Sequence, residues 1–128
     1  MRLLLDTHAL IWWLAGDDNL SAAASRAIAA PDSAVFVSAA SAWEITTKHR
    51  IGKLPSVERI IGRIEITLAK EGFVGLPVTL RHGEHAGAIA GHHKDPFDRM
   101  LIAQALAEDL LLVSREPLFD HYGVQRLW

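Results

Sequence analysis

Short apolar runs alternate with helical patterns along this chain, and the alternation predicts its elements. Residues 2–6 are an apolar run closed by a charge, which reads as a buried strand. Asp6 or Thr7 caps the helix that follows, in which Leu10, Trp13 and Leu14 share a face. Asp17-Asp18-Asn19 is a polar turn, and the alanine-rich stretch 21–30 is a helix stopped by Pro31. Residues 34–38 are the second strand. Ser38 or Ser41 caps a helix running to about Arg50, where Gly52 supplies the stop. Ile60, Ile61, Ile64 and Leu68 stand at helical spacing and predict a helix over 57–71. Residues 73–78 make a third strand, weakened by Gly75 and Pro77. Thr79 caps a helix over 80–90, residues 91–94 form a polar loop, and Asp95-Pro96 opens a helix to Glu108. A fourth strand falls at 110–114 and a fifth at 124–128.

Strands that alternate with helices and read as continuous apolar runs imply a parallel sheet covered on both faces. The expected fold is a three-layer α/β/α domain with a central, mostly parallel sheet of four to five strands. With 128 residues, half of them apolar, and no repeat or linker, the chain is expected to be one domain over 1–128. The absence of cysteine excludes disulfides, thiolate metal sites and cysteine nucleophiles, and suits a reducing compartment. The opening MRLLLDTHALIWWLAG is not read as a signal peptide, because Asp6 and His8 interrupt its apolar run. No stretch is long and uncharged enough to span a bilayer. The expectation is a soluble cytoplasmic protein without a membrane partner.

The formal net charge is only −2, so any contact with a polyanion must come from a local basic patch or from metal ions. Against that near balance, four acids occupy one kind of place. Asp6 closes the first strand, Glu44 and Glu116 follow the second and fourth, and Asp98 lies in the first turn of the last long helix. In a parallel sheet the strand ends lie along one carboxyl edge, where such folds bind ligands. Glu44 is long enough to reach back toward Asp6, and the helix dipole favours an ionised Asp98. Carboxylates gathered in one cleft repel one another unless a cation sits between them. Mg²⁺, or Mn²⁺ as a substitute, takes oxygen ligands and keeps waters that substrate phosphates can replace. One such ion activates a water, and a second stabilises the leaving oxygen of a phosphodiester. No phosphate-binding glycine loop and no nucleophile-elbow serine offers a different chemistry.

The segments Leu3-Leu4-Leu5-Asp6-Thr7-His8, Ser38-Ala39-Ala40-Ser41-Ala42-Trp43-Glu44-Ile45, Asp95-Pro96-Phe97-Asp98-Arg99 and Val113-Ser114-Arg115-Glu116 resemble, in order and spacing, the four motifs of PIN-domain ribonucleases. The closest likeness is to the VapC-type toxins of bacterial toxin–antitoxin pairs, and it runs along essentially the whole chain. The resemblance implies Mg²⁺-dependent RNA cleavage, with a homodimer and a cognate antitoxin as partners. It makes Asp6, Glu44 and Asp98 metal-binding acids. Glu116 matches a fourth position that is more often aspartate, and its extra methylene favours a contact through water.

Each of these residues also has a plainer role open to it. Asp6 is placed to cap a helix, and Glu44 stands four residues before Lys48, the spacing of a surface ion pair. Asp95 reads first as the cap of a helix with proline at its first position, and second as a site residue. Thr7 and Ser114 are expected to support the site through their hydroxyls. Arg99, Arg115 and Lys48 are candidate RNA contacts, with structural pairing to carboxylates as the alternative. His82, His85, His92 and His93 fall close together, but their spacing does not build a tetrahedral zinc site. Two other functions compete: a receiver-like phospho-acceptor domain, and a catalytically silent binding domain on the same fold.

Overall fold

The apolar run behind Met1 becomes β1 (Arg2–Leu5), the middle strand of the sheet. A computed structural model describes all of residues 1–128. The other strands are β2 (Ala34–Ser38), β3 (Val74–Leu76), β4 (Leu111–Val113) and β5 (Arg126–Leu127), and the order across the sheet is β3-β2-β1-β4-β5. Every pairing is parallel, with Leu3 opposite Val35 on one side and Leu111 on the other.

The pleat sends successive side chains to opposite faces, and the core divides accordingly. Leu3 and Leu5 pack with Leu10, Ile28, Val37 and Ile45. That face is covered by α1 (Thr7–Ala15), α2 (Ala22–Ala29), α3 (Ala39–Arg50) and α4 (Ile64–Glu71). Leu4 points the other way, into a cluster with Leu101, Ile102, Leu112 and Phe119. That cluster is built on α6 (Pro96–Glu108), against which α5 (Leu80–Ala88) packs. The three layers expected from the hydrophobic pattern are present.

From β1 the chain steps outward through β2 to β3, then crosses back to place β4 and β5 on the other side of β1. The neighbours β1 and β4 therefore send their connections in opposite directions, and a crevice opens at their carboxyl ends. Asp6 stands at the end of β1, and Ser114, Arg115 and Glu116 follow β4.

Local chemistry sets the helix starts. Ser38 rather than Ser41 caps α3, accepting from the Ala40 N–H at 3.0 Å. Thr79 caps α5 in a reciprocal box with His82, each side chain meeting the other's backbone N–H at 3.1 Å. Asp95 caps α6 as its position before Pro96 implies, accepting from Phe97 and Asp98 N–H at 2.9 and 3.0 Å.

The helix expected over 57–71 is only half there. Pro55–Val57 is a single 3-10 turn, and α4 begins at Ile64. Gly62, with φ +75°, takes the left-handed conformation that ends a helix. Ile60, Ile61, Ile64 and Leu68 still pack toward the same core, so the periodic apolar signal reported burial and not continuous helix. The third strand shrinks to Val74–Leu76, because Pro77 has no N–H to extend the ladder.

Candidate active site

One cavity of about 240 Å³ lies at the crevice between β1 and β4, lined by Asp6, Thr7, His8, Glu44, Lys48, Asp95, Asp98, Glu116 and Leu118. Only Leu118 is apolar. The fold thus brings all four acids read from the sequence, together with Asp95, to one place from four separate stretches of chain.

Asp6 is 6% exposed and caps α1, its Oδ1 accepting from the Ala9 N–H at 2.8 Å. The same carboxylate caps the helix and lines the cavity. Burial pushes its carboxyl above the usual range, against the Ser114 hydroxyl and the Ala9 N–H, which favour the charged form. Glu44, 4% exposed, comes from the second turn of α3 and has both oxygens engaged. Oε1 accepts from the Thr7 hydroxyl at 2.5 Å, and Oε2 pairs with Lys48. The ion pair expected at this spacing therefore exists, but it faces the cavity instead of a solvated surface. Thr7 also lies 3.1 Å from the Ser41 hydroxyl, so a small buried hydroxyl network sets the position of Glu44.

Asp98 sits at the first turn of α6, and burial raises its carboxyl to about 6. His93 opposes that shift through a 2.8 Å contact from Nε2 to Oδ2, whereas the charges of Asp95 and Glu44 add to it. Glu116 is exposed at the rim, where its own N–H donates to Ser114 Oγ at 3.0 Å. Burial pulls the Lys48 ammonium down, but its bond to Glu44 and the fields of Glu44, Asp95 and Asp98 outweigh this and leave it raised.

Two basic residues have other occupations. Arg99 neither pairs with a carboxylate nor stands free for phosphate. Nε donates to Ala86 O at 2.9 Å, Nη1 to His93 O at 3.0 Å, and Nη2 to Ile89 O at 2.6 Å. The expectation of an RNA contact there meets a guanidinium already spent on backbone carbonyls, and Arg99 fastens the loop between α5 and α6. The exposed Arg115 lies over the Trp12 ring, 4.7 Å from its centroid. Trp12 in turn neighbours His8 and Trp128 at 5.5 and 5.8 Å, which builds an aromatic ledge beside the cavity. Trp13 turns inward onto Phe73, as two adjacent tryptophans on one helix must diverge.

The histidines do not gather on a zinc ion. His82 is buried between Thr79 and Glu108, whereas His93 belongs to Asp98. Sequence reasoning missed His8 as a lining residue and His93 as the partner of an acid. Neither role leaves a signal in spacing, since both depend on where a loop folds back. A separate apolar cavity of about 380 Å³ lies between Trp43, Val78, Pro96 and Phe97. Trp43 is 62% exposed, its ring edge-on to Phe97 at 4.9 Å.

The donor set fits a hard divalent cation. Buried carboxylate oxygens line a small polar cavity, two of the acids are held from ionising as freely as they do in water, and no soft ligand is present. The acids surround this space without three of them already closing on one point. Asp6, Asp98 and Glu44 are the residues that would hold the ion.

The PIN domain family model matches residues 3–125. The chain belongs to the PIN-domain family. No curated protein matches this PIN domain by sequence. Among solved structures it is similar to VapBC2 from Rickettsia felis bound to a promoter DNA fragment, with 13% identity, a TM-score of 0.70, and 99% of this chain and 98% of that one covered. VapBC-1 from nontypeable Haemophilus influenzae gives 17% identity, a TM-score of 0.65, and 99% and 97% covered. The PIN domain endonuclease Utp24 gives 16%, 0.54, and 98% and 83%. Membership of the family sets aside the receiver-like alternative.

Proposed function

We propose that this PIN domain is a Mg²⁺-dependent endoribonuclease that hydrolyses RNA phosphodiester bonds with a metal-activated water, as the toxin of a toxin–antitoxin pair. The observation that carries the reading is the convergence of Asp6, Glu44, Asp98 and Glu116 on one polar cavity at the sheet's switch point. The family and the endonuclease among its structural neighbours support nuclease chemistry. The neighbours that are toxin–antitoxin complexes support the biological setting. A silent binding domain would have no use for buried acids that oppose each other's ionisation.

Asp6, Asp98 and Glu44 would hold the ion, and the exposed Glu116 at the rim would meet it through water. When bound, Mg²⁺ supplies an activated water and offsets the charge that develops on the leaving oxygen. Thr7 and Lys48 hold the two oxygens of Glu44 in a fixed orientation. Ser114 steadies Asp6 through its hydroxyl. Arg115, whose guanidinium lies over the Trp12 ring, is the candidate contact for the RNA backbone. Lys48 stands close enough to the acids to serve the same strand.

The purified protein is expected to cut single-stranded RNA with Mg²⁺ or Mn²⁺ and to stop when EDTA is added. Cleavage that persists in EDTA would defeat the metal mechanism. The partners we infer are RNA, a cognate antitoxin and a second copy of the chain. No helix is long and apolar enough to cross a membrane, and a cytoplasmic setting follows from the toxin reading. The exposed apolar side chains of Trp43, Val78 and Leu80 support self-association. Sedimentation is expected to give twice the 14.1 kDa of one chain, and a single-chain mass at micromolar concentration would refute the dimer.

A further inference from the structure

We propose that His93 is a positioning residue that holds the Asp98 carboxylate for its metal. The inference rests on the metal reading above and extends it to a residue outside the acidic set. His93 Nε2 lies 2.8 Å from Asp98 Oδ2, and both side chains are largely covered, at 19% and 26% exposed. An ionised carboxylate only accepts, so Nε2 carries the proton, and the contact fixes which oxygen of Asp98 remains free. Oδ1 has no hydrogen-bond partner in the protein and is the oxygen left for the ion.

The support under His93 is itself built. Its carbonyl accepts from Arg99 Nη1 at 3.0 Å, and Arg99 is the chain neighbour of Asp98. Ring and backbone of His93 are thus tied to two consecutive residues of one helix turn. Two residues earlier, Gly91 takes φ +118°, and a Cβ there would stand 3.1 Å from the Tyr122 hydroxyl. Only glycine lets the loop lie this close to Tyr122, whose ring is 6.3 Å from that of His93. A loop fastened at its backbone by Arg99 and seated on Tyr122 presents the imidazole to Asp98 in one place. Partners of ligating groups placed in this way orient the ligand, and their loss weakens metal binding about 10–100-fold.

The test measures Mn²⁺ binding to the whole protein without RNA, by titration calorimetry or by the loss of the free-ion electron-spin signal. His93→Leu and His93→Gln fill similar space, but only glutamine retains an N–H for Oδ2. His93→Leu is expected to bind Mn²⁺ at least about 10-fold more weakly than the parent. His93→Gln should recover most of that affinity, with kcat following affinity and KM for RNA nearly unchanged. Equal affinity in the two variants would overturn the proposal, because filling the space would then be all that His93 does. A parent protein that binds no Mn²⁺ would overturn it together with the metal reading, an outcome distinct from the first because it shows before any substitution.

Discussion

Asp6→Asn is expected to abolish RNA cleavage while leaving the metal-free protein at least as stable as the parent. The two effects separate because Asp6 does two jobs with one group. As a cap it accepts from the Ala9 N–H at 2.8 Å, and asparagine caps about as well as aspartate. As a charge it is buried beside Glu44, where desolvation already resists its ionisation. The amide retains the cap and removes the buried charge, so nothing in the fold is lost. What disappears is an anionic oxygen for the ion. A loss on the order of 1000-fold in cleavage, about 4 kcal/mol of barrier, is the scale expected for a directly ligating carboxylate. Asp120→Asn is the matching control. Asp120 is exposed and paired with Arg126 at 2.9 Å, outside the acidic cavity, and its loss should leave cleavage unchanged. Thermal melting in EDTA and single-turnover cleavage of one oligonucleotide read both effects. An Asp6→Asn protein that cleaves within about tenfold of the parent, or that melts well below it, would contradict this account of the residue.

That separation also shows how far the sequence could be read. The strands were legible because a parallel sheet buries both faces, so each appears as an unbroken apolar run such as Leu3-Leu4-Leu5. The acids were legible because strand ends in such a sheet are the ligand edge, whatever the ligand is. Helix starts followed from single residues, Ser38, Thr79 and Asp95, whose side chains reach only a few positions along the chain. The turn at Gly62 was hidden by four apolar residues that pack equally well from a helix or from turns. Arg99 and His93 were hidden for another reason. Their partners, the carbonyls of Ala86 and Ile89 and the carboxylate of Asp98, are met only after a loop folds back. A charged residue beside an acid looks like a site residue in sequence, and only geometry tells a phosphate contact from a clamp.

Mg²⁺ is expected to stabilise the protein progressively more as pH rises from about 5 to 7, and to add little beyond. Asp98 carries the argument, because burial, with the charges of Asp95 and Glu44 beside it, lifts its carboxyl to about 6 in the folded state. An unfolded chain returns it to about 3.9. Between those values the folded protein binds more protons than the unfolded one, so without metal this group's contribution to stability falls as pH rises and levels off above 6. Asp6, also raised by burial, acts in the same direction. An ion on Asp98 competes with that proton. Below about 6 its apparent affinity should gain close to tenfold per pH unit for each proton displaced, and above 6 it should flatten. Since a ligand stabilises the state that binds it in proportion to the logarithm of one plus the ratio of its concentration to its dissociation constant, the gap between melting temperatures in Mg²⁺ and in EDTA should widen over the same interval. Cleavage should fall on the acid side with the same midpoint. Asp98→Asn removes one of the two raised carboxyls together with a ligand, and its melting gap should be small throughout the interval. A parent protein whose gap is constant from pH 5 to 7 would show that the ion does not sit on Asp98, and the assignment of the metal to this cavity would have to be withdrawn.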